Sequence, residues 1–180
     1  MRIAVYCSAR ADIAPECFAD ARKLGHWIAA NGHTLVYGGL KMGLMDAVAS
    51  AAAEGGGKII GVVPQSRSSR QHPDNTVNIA VTTLHERKAT MEENSDAFVA
   101  LDGGYGTLDE AMSALASMSF FDEPKPLLML NRSGLYNHLA DLMAEMQRRG
   151  LMNPEVTRRV SFCPDIETLI GNLQNHESHR

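Results

Sequence analysis

Ala97-Phe98-Val99-Ala100-Leu101-Asp102-Gly103-Gly104-Tyr105-Gly106-Thr107-Leu108-Asp109-Glu110 passes from a short apolar run, through closely spaced glycines, into a segment of helical period. It reads as a strand, a turn and a helix start. A second stretch of the same kind is Val36-Tyr37-Gly38-Gly39-Leu40-Lys41-Met42-Gly43-Leu44-Met45. Glycine lets backbone N–H groups turn toward a ligand without a Cβ in the way, and a helix start adds unpaired donors and a positive dipole end. Either loop alone is equally well explained by tight turns. Two such loops in one small sheet favour an anion site, at the carboxyl ends of the strands where ligands bind in open α/β folds.

Outward from these loops, short apolar or β-branched runs alternate with longer helix-period segments, the signature of parallel strands joined by helical crossovers. Strands are expected near Ile3–Cys7, Thr34–Tyr37, Ile59–Val63, Val77–Thr82, Ala97–Leu101 and Leu127–Leu130. Helices are expected over Pro15–Asn31, Leu44–Glu54, Leu84–Asn94, Thr107–Phe120 and Leu135–Arg149. The first is marked by Phe18, Ala21, Leu24, Trp27 and Ile28 and ends at Asn31-Gly32, a left-handed cap. Residues 65–76 are polar and read as a long surface loop, and residues 175–180 as a frayed tail. The fold class is α/β: a single Rossmann-like domain over residues 1–180, with a doubly wound parallel sheet and helices on both faces.

Composition agrees with a packed core, with 44% hydrophobic and 21% charged residues in 180. A net charge of −4 argues against general adhesion to nucleic acid or anionic lipid, which depends on clustered Lys and Arg. The start, Met1-Arg2-Ile3-Ala4-Val5-Tyr6, goes straight into a β-like run, and no apolar run approaches the roughly 20 residues of a membrane span. Cys7, Cys17 and Cys163 fit neither a disulfide framework nor a zinc cage. A cytoplasmic protein with reduced thiols is expected.

Several chemistries find no signature. Gly104-x-Gly106 has Asp109 where a dinucleotide fingerprint needs glycine, the loop Ser8-Ala9-Arg10 has no glycine, and no Gly-Lys-Ser or Gly-Lys-Thr occurs. His85-Glu86 lacks the second His of a zinc protease helix. No serine stands in a Gly-x-Ser-x-Gly elbow, and Cys7 reads as a buried strand residue. Met112, Met118, Met143 and Met146 read as core or subunit interface.

Three side chains remain. Arg87 and Lys88 open a helix, where cations oppose the macrodipole, and as neighbours they point about 100° apart, so they suit different jobs. A solvated charged face is the other reading. Glu110 lies three residues after Thr107, which makes a capping box one reading. The other places its carboxylate beside the glycine loop, where it can stabilise a sugar cation or activate water.

On these residues the chain resembles the Lonely Guy (LOG) family of nucleoside 5′-monophosphate phosphoribohydrolases, long labelled lysine decarboxylases. Asp102-Gly103-Gly104-Tyr105-Gly106-Thr107-Leu108-Asp109-Glu110 is similar to the family's Pro-Gly-Gly-x-Gly-Thr-x-x-Glu, and Arg87-Lys88-Ala89-Thr90-Met91 to its Arg-Lys-x-x-Met. The likeness extends over Tyr37-Gly38-Gly39, Gly43-Leu44-Met45 and Ile60-Gly61-Val62-Val63-Pro64. It implies hydrolysis of the N-glycosidic bond of a purine-type ribonucleotide, a cytokinin riboside monophosphate or AMP, without metal or organic cofactor. Glu110 and Arg87 would act at the ribose and the attacking water. Lys88, Gly103, Gly104, Tyr105, Gly106, Thr107, Gly38, Gly39 and Ser8 would bind the substrate. Its partners would be a small nucleoside monophosphate and a second copy of the chain in a homodimer or larger assembly, with no nucleic acid and no membrane.

The chain departs from the pattern at four places. Asp102 replaces the family's proline, and Leu40 and Asp46 replace glycines; these are expected to bring charge and bulk toward the pocket. Ser8-Ala9-Arg10 replaces Gly-Ser-Ser, losing a hydroxyl and supplying a cation. A nucleotide-binding or carrier protein without turnover is therefore the alternative, favoured by Asp102 and Leu40, and a pyridoxal phosphate decarboxylase is a third reading.

Overall fold

Seven parallel strands make up the sheet in a computed structural model that describes residues 1–121, 123 and 125–178. They are β1 (Arg2–Tyr6), β2 (Thr34–Tyr37), β3 (Lys58–Pro64), β4 (Val77–Val81), β5 (Ala97–Ala100), β6 (Leu127–Leu130) and β7 (Val160–Cys163), in the order β4-β3-β2-β1-β5-β6-β7. The helices are α1 (Pro15–Ala30), α2 (Gly43–Glu54), α3 (Leu84–Glu93), α4 (Tyr105–Phe121), α5 (Asn137–Arg148), α6 (Pro154–Thr157) and α7 (Ile166–Ser178).

Side chains alternate across a strand, so a strand between two helical layers must be apolar at every position. From Ile3 onward β1 does this: Ile3 and Val5 enter the core with α1, α2 and α7, while Ala4 and Tyr6 enter the core with α3, α4, α5 and α6. Right-handed crossovers put helices on one face when the chain adds strands in one direction and on the other face when it reverses. The reversal falls between β1 and β5, which pair directly from Ile3↔Ala97 to Tyr6↔Ala100. Loops leaving the carboxyl ends of these two strands diverge and open a crevice.

Four differences from the sequence reading stand out. β7 and α7 were not expected; Val160–Cys163 is a four-residue edge strand with three half-exposed residues, too little apolar alternation to stand out. Residues 175–178 are helical rather than frayed, while 179–180 lie outside the described residues. The segment expected as a surface loop begins with a 3₁₀ turn, Gln65–Arg70, then pairs Gln71 with Leu40 and buries His72. Helix α4 starts at Tyr105, two residues before the expected Thr107. Among the described residues no helix is long and apolar enough to cross a membrane.

Candidate active site

The crevice is built around the start of α4. The first backbone bond of this helix runs from Leu108 N to Gly104 O at 3.1 Å, so the N–H groups of Tyr105, Gly106 and Thr107 precede it at the positive end of the dipole. Gly103 lets the turn close: a Cβ there would stand 2.0 Å from Thr107 Oγ1. Thr107 is buried, whereas Gly104 and Gly106 are exposed and line a cleft of about 250 Å³.

Arg87, in the first turn of α3, and Glu110, in the second turn of α4, meet in the cleft wall with Nη1 and Oε1 2.7 Å apart. Their side chains are only 13% and 12% exposed. Arg87 Nε also donates to Val62 O at 3.1 Å, and its Nη2 lies over Gly38, where a Cβ would approach to 1.8 Å. The guanidinium is thus fixed on three sides. Burial raises the Glu110 carboxyl above its ordinary value, Arg87 opposes this, and Asp109 adds to the rise. Glu110 spends its Oε1 on Arg87 rather than on the Thr107 amide, and with the helix starting at Tyr105 the capping-box geometry is lost. A carboxylate held beside unpaired amides can stabilise or deprotonate a group bound through an anion.

The remaining predicted residues divide. Ser8 and Gly38 line the cleft with Arg87, Gly104, Gly106, Thr107 and Glu110. Ser8 is pinned by its N–H to Asp102 O at 3.0 Å and by accepting from Leu44 N at 2.9 Å. Gly103 supports the turn from beneath. Gly39, at φ +74°, packs against Val63 and is outside the lining. Lys88 also stays outside, bonded to Asp109 Oδ1 at 2.7 Å, and Tyr105 stands on the rim, 95% exposed. The structure adds Cys7 and Met45, which the sequence reading did not place at the site, and brings Arg10, expected to supply a cation, into the lining. Cys7 lies one residue past β1, and burial pushes its thiol well above its ordinary range, so it is a neutral wall group rather than a nucleophile.

The sequence model of the family described as possible lysine decarboxylase matches residues 45–173. A cytokinin riboside 5′-monophosphate phosphoribohydrolase of Arabidopsis thaliana is 33% identical over 178 residues, covering 98% of this chain and 82% of the relative. The chain belongs to the LOG family. A probable cytokinin riboside 5′-monophosphate phosphoribohydrolase of Oryza sativa subsp. japonica is 35% identical, with 97% and 72% covered. In fold, the LOG-family chain is similar to the molybdenum cofactor binding protein of Rippkaea orientalis, with TM-score 0.73, 24% identity and 97% and 95% of the two chains covered. It is also similar to the molybdenum cofactor carrier protein of Chlamydomonas reinhardtii, with TM-score 0.72, 24% identity and 97% and 96% covered.

Three departures from the LOG pattern do not reach the cleft, contrary to expectation. The Asp102 carboxylate turns the other way, accepting from Cys17 Sγ at 3.2 Å and Ser133 Oγ at 3.4 Å, and lines a separate cavity with Asp20 and Arg132. Leu40 is buried and pairs with Gln71. Asp46 follows Met45 on α2 and so points about 100° away from this cleft residue. There its Oδ1 meets Nε2 of buried His72 at 3.0 Å. His72 Nε2 also lies 3.2 Å from Ser50 Oγ, and its backbone N–H donates to Gly39 O at 2.8 Å. This pairing ties residues 65–76 to the loop that holds Gly38 and Gly39.

Proposed function

We propose that this chain hydrolyses the N-glycosidic bond of a purine ribonucleoside 5′-monophosphate, of cytokinin type or AMP, to free base and ribose 5-phosphate. The observation that carries the reading is the buried Arg87–Glu110 pair in one cleft with the leading amides of α4. The amides and Thr107 hold the 5′-phosphate. As the bond from C1′ to the base nitrogen breaks, the base leaves with the electron pair and positive charge builds on the ribose. Glu110 stabilises that charge and takes a proton from the water that bonds to C1′, an equivalent proton reaches the departing base nitrogen from solvent as Glu110 returns its own, and Arg87 fixes the carboxylate. The alternative of a carrier without turnover drew on Asp102 and Leu40, and neither lines the cleft.

Base release from AMP and from a cytokinin riboside monophosphate, followed by chromatography, tests this. Glu110→Gln should lower it by about 10² to 10⁴-fold, the usual worth of a general base. Wild-type rates in that variant, or nucleotide bound without any base released, would refute the reading. The proposed functional unit is a homodimer. Support comes from Phe120 and Phe121, exposed at the end of α4, of which Phe121 lines a groove between α3 and α4, and from Leu84 and Tyr105, exposed at the starts of these helices. Sedimentation of a Phe120→Ser, Phe121→Ser variant should show a monomer where the wild type is dimeric.

A further inference from the structure

The cleft contains two guanidinium groups, and only one is firmly committed. Arg87 is neutralised by Glu110. Arg10, from the loop after β1, also lines the cleft. Its Nε and Nη2 donate to Asp12 Oδ1 and Oδ2 at 2.9 and 2.7 Å, fork to fork. This partner lies two residues away, and the two side chains are 72% and 70% exposed, so the pair is weak and exchanges readily. The backbone beneath is rigid. Arg10 N donates to Ser8 Oγ at 3.1 Å, and Gly43, at φ +51°, approaches so closely that a Cβ there would stand 2.6 Å from Arg10 O.

A phosphate monoester carries about 1.5 to 2 negative charges at neutral pH. The start of α4 offers roughly half a positive charge. Arg87 adds little net charge because Glu110 cancels it, and Lys88 is held by Asp109 outside the lining. Arg10 is the cleft cation with an exchangeable partner, and a guanidinium fork donates to phosphate oxygens in the same planar geometry as to a carboxylate. We propose that Arg10 exchanges Asp12 for the substrate's 5′-phosphate, with Asp12 as a built-in competitor, so that the cleft discriminates nucleotide from nucleoside. This rests on the cleft being a nucleotide site.

Calorimetric titration with inorganic phosphate, AMP and adenosine separates the two ideas. Arg10→Ala should weaken phosphate and AMP by about tenfold or more, through the loss of a charge-assisted fork, and so narrow the preference for AMP over adenosine. Asp12→Ala should tighten phosphate by up to about fivefold. In the double variant the Asp12 effect should vanish, because it acts through Arg10. If the wild type binds phosphate and Arg10→Ala binds it equally well, or Asp12→Ala weakens it, the exchange is wrong while the nucleotide site stands. A wild type that binds neither phosphate nor AMP would overturn the site and the exchange together.

Discussion

Replacing Gly38 by alanine should disable the site by driving Arg87 away from Glu110. A Cβ at Gly38 would lie 1.8 Å from Arg87 Nη2, 3.1 Å from Arg87 Cζ and 2.7 Å from Met45 Sδ. Ordinary contact begins near 3.5 Å, so the guanidinium must retreat by about 1.5 Å. Neither the 2.7 Å bond to Glu110 nor the 3.1 Å bond to Val62 O survives such a shift. Two charge-assisted bonds are then broken, and with partial rescue by water the fold should lose about 2–4 kcal/mol. For a chain of this length that lowers the melting temperature by roughly 5–15 °C. Catalysis should suffer more, because a misplacement of about 1 Å costs on the order of 10²-fold. The assay is steady-state base release at 25 °C beside a thermal melt. KM should change little, since the amides of α4 are not displaced, while kcat falls by about 10²-fold. A Gly38→Ala protein with kcat within about fivefold of wild type would refute the claim that Arg87's pose governs turnover.

Other outcomes follow from the same geometry. Glu110 must be ionised to act as a base, and its carboxyl is raised above 4.5, first by burial, so the acid limb of kcat/KM should lie above pH 4.5, where activity is lost as pH falls through the raised value. A pH–rate profile with its limb at or below 4.5 would contradict this. Asp102→Asn should leave KM for AMP within about twofold, because the carboxylate faces Cys17 and Ser133; a large fall in KM would mean its charge reaches the phosphate after all. Asp46→Ala should cost about 1–2 kcal/mol, or roughly 3–6 °C in a thermal melt, since His72 keeps Ser50 as a partner.

Much of the sheet was legible because its inner strands are apolar on both faces. Ala97–Ala100 and Leu127–Leu130 are buried at every position, and such runs between helical segments have few other readings. β7 was not, because edge strands can be short and half exposed. Within the site, the divergence of Arg87 from Lys88 follows from helical spacing alone: one turns to Glu110 and the other to Asp109. Arg10 was legible as the cation that replaces part of Gly-Ser-Ser, whereas Cys7 carries no motif, yet both follow β1 at the strand ends where an open α/β sheet places its ligands. Asp102 was misjudged because neighbouring residues in a turn face opposite ways, and no pattern in sequence gives that direction. His72 was invisible for a different reason. Its partners Asp46 and Ser50 lie on α2, more than twenty residues earlier, and only the folded chain brings them together.

The two glycine loops, so alike in sequence, do different physical work. Around Gly103 to Gly106 the missing side chains clear the approach to backbone donors: Gly104 and Gly106 meet nothing within 4 Å, so they leave open space. Around Gly38 to Gly43 they let other parts of the protein come close. Gly38 admits Arg87, Gly39 admits Val63, and Gly43 admits the backbone of Ser8 to Arg10. The loop from Gly38 to Gly43 therefore shapes the site through what it lets in rather than through what it donates. That division explains why bulk at Leu40 is tolerated: Leu40 is buried beside Gln71, away from the cleft. It also sets the order of sensitivity. A methyl at Gly38 collides with the guanidinium that holds Glu110, whereas a methyl at Gly104 or Gly106 meets no protein atom and can act only on what the cleft binds.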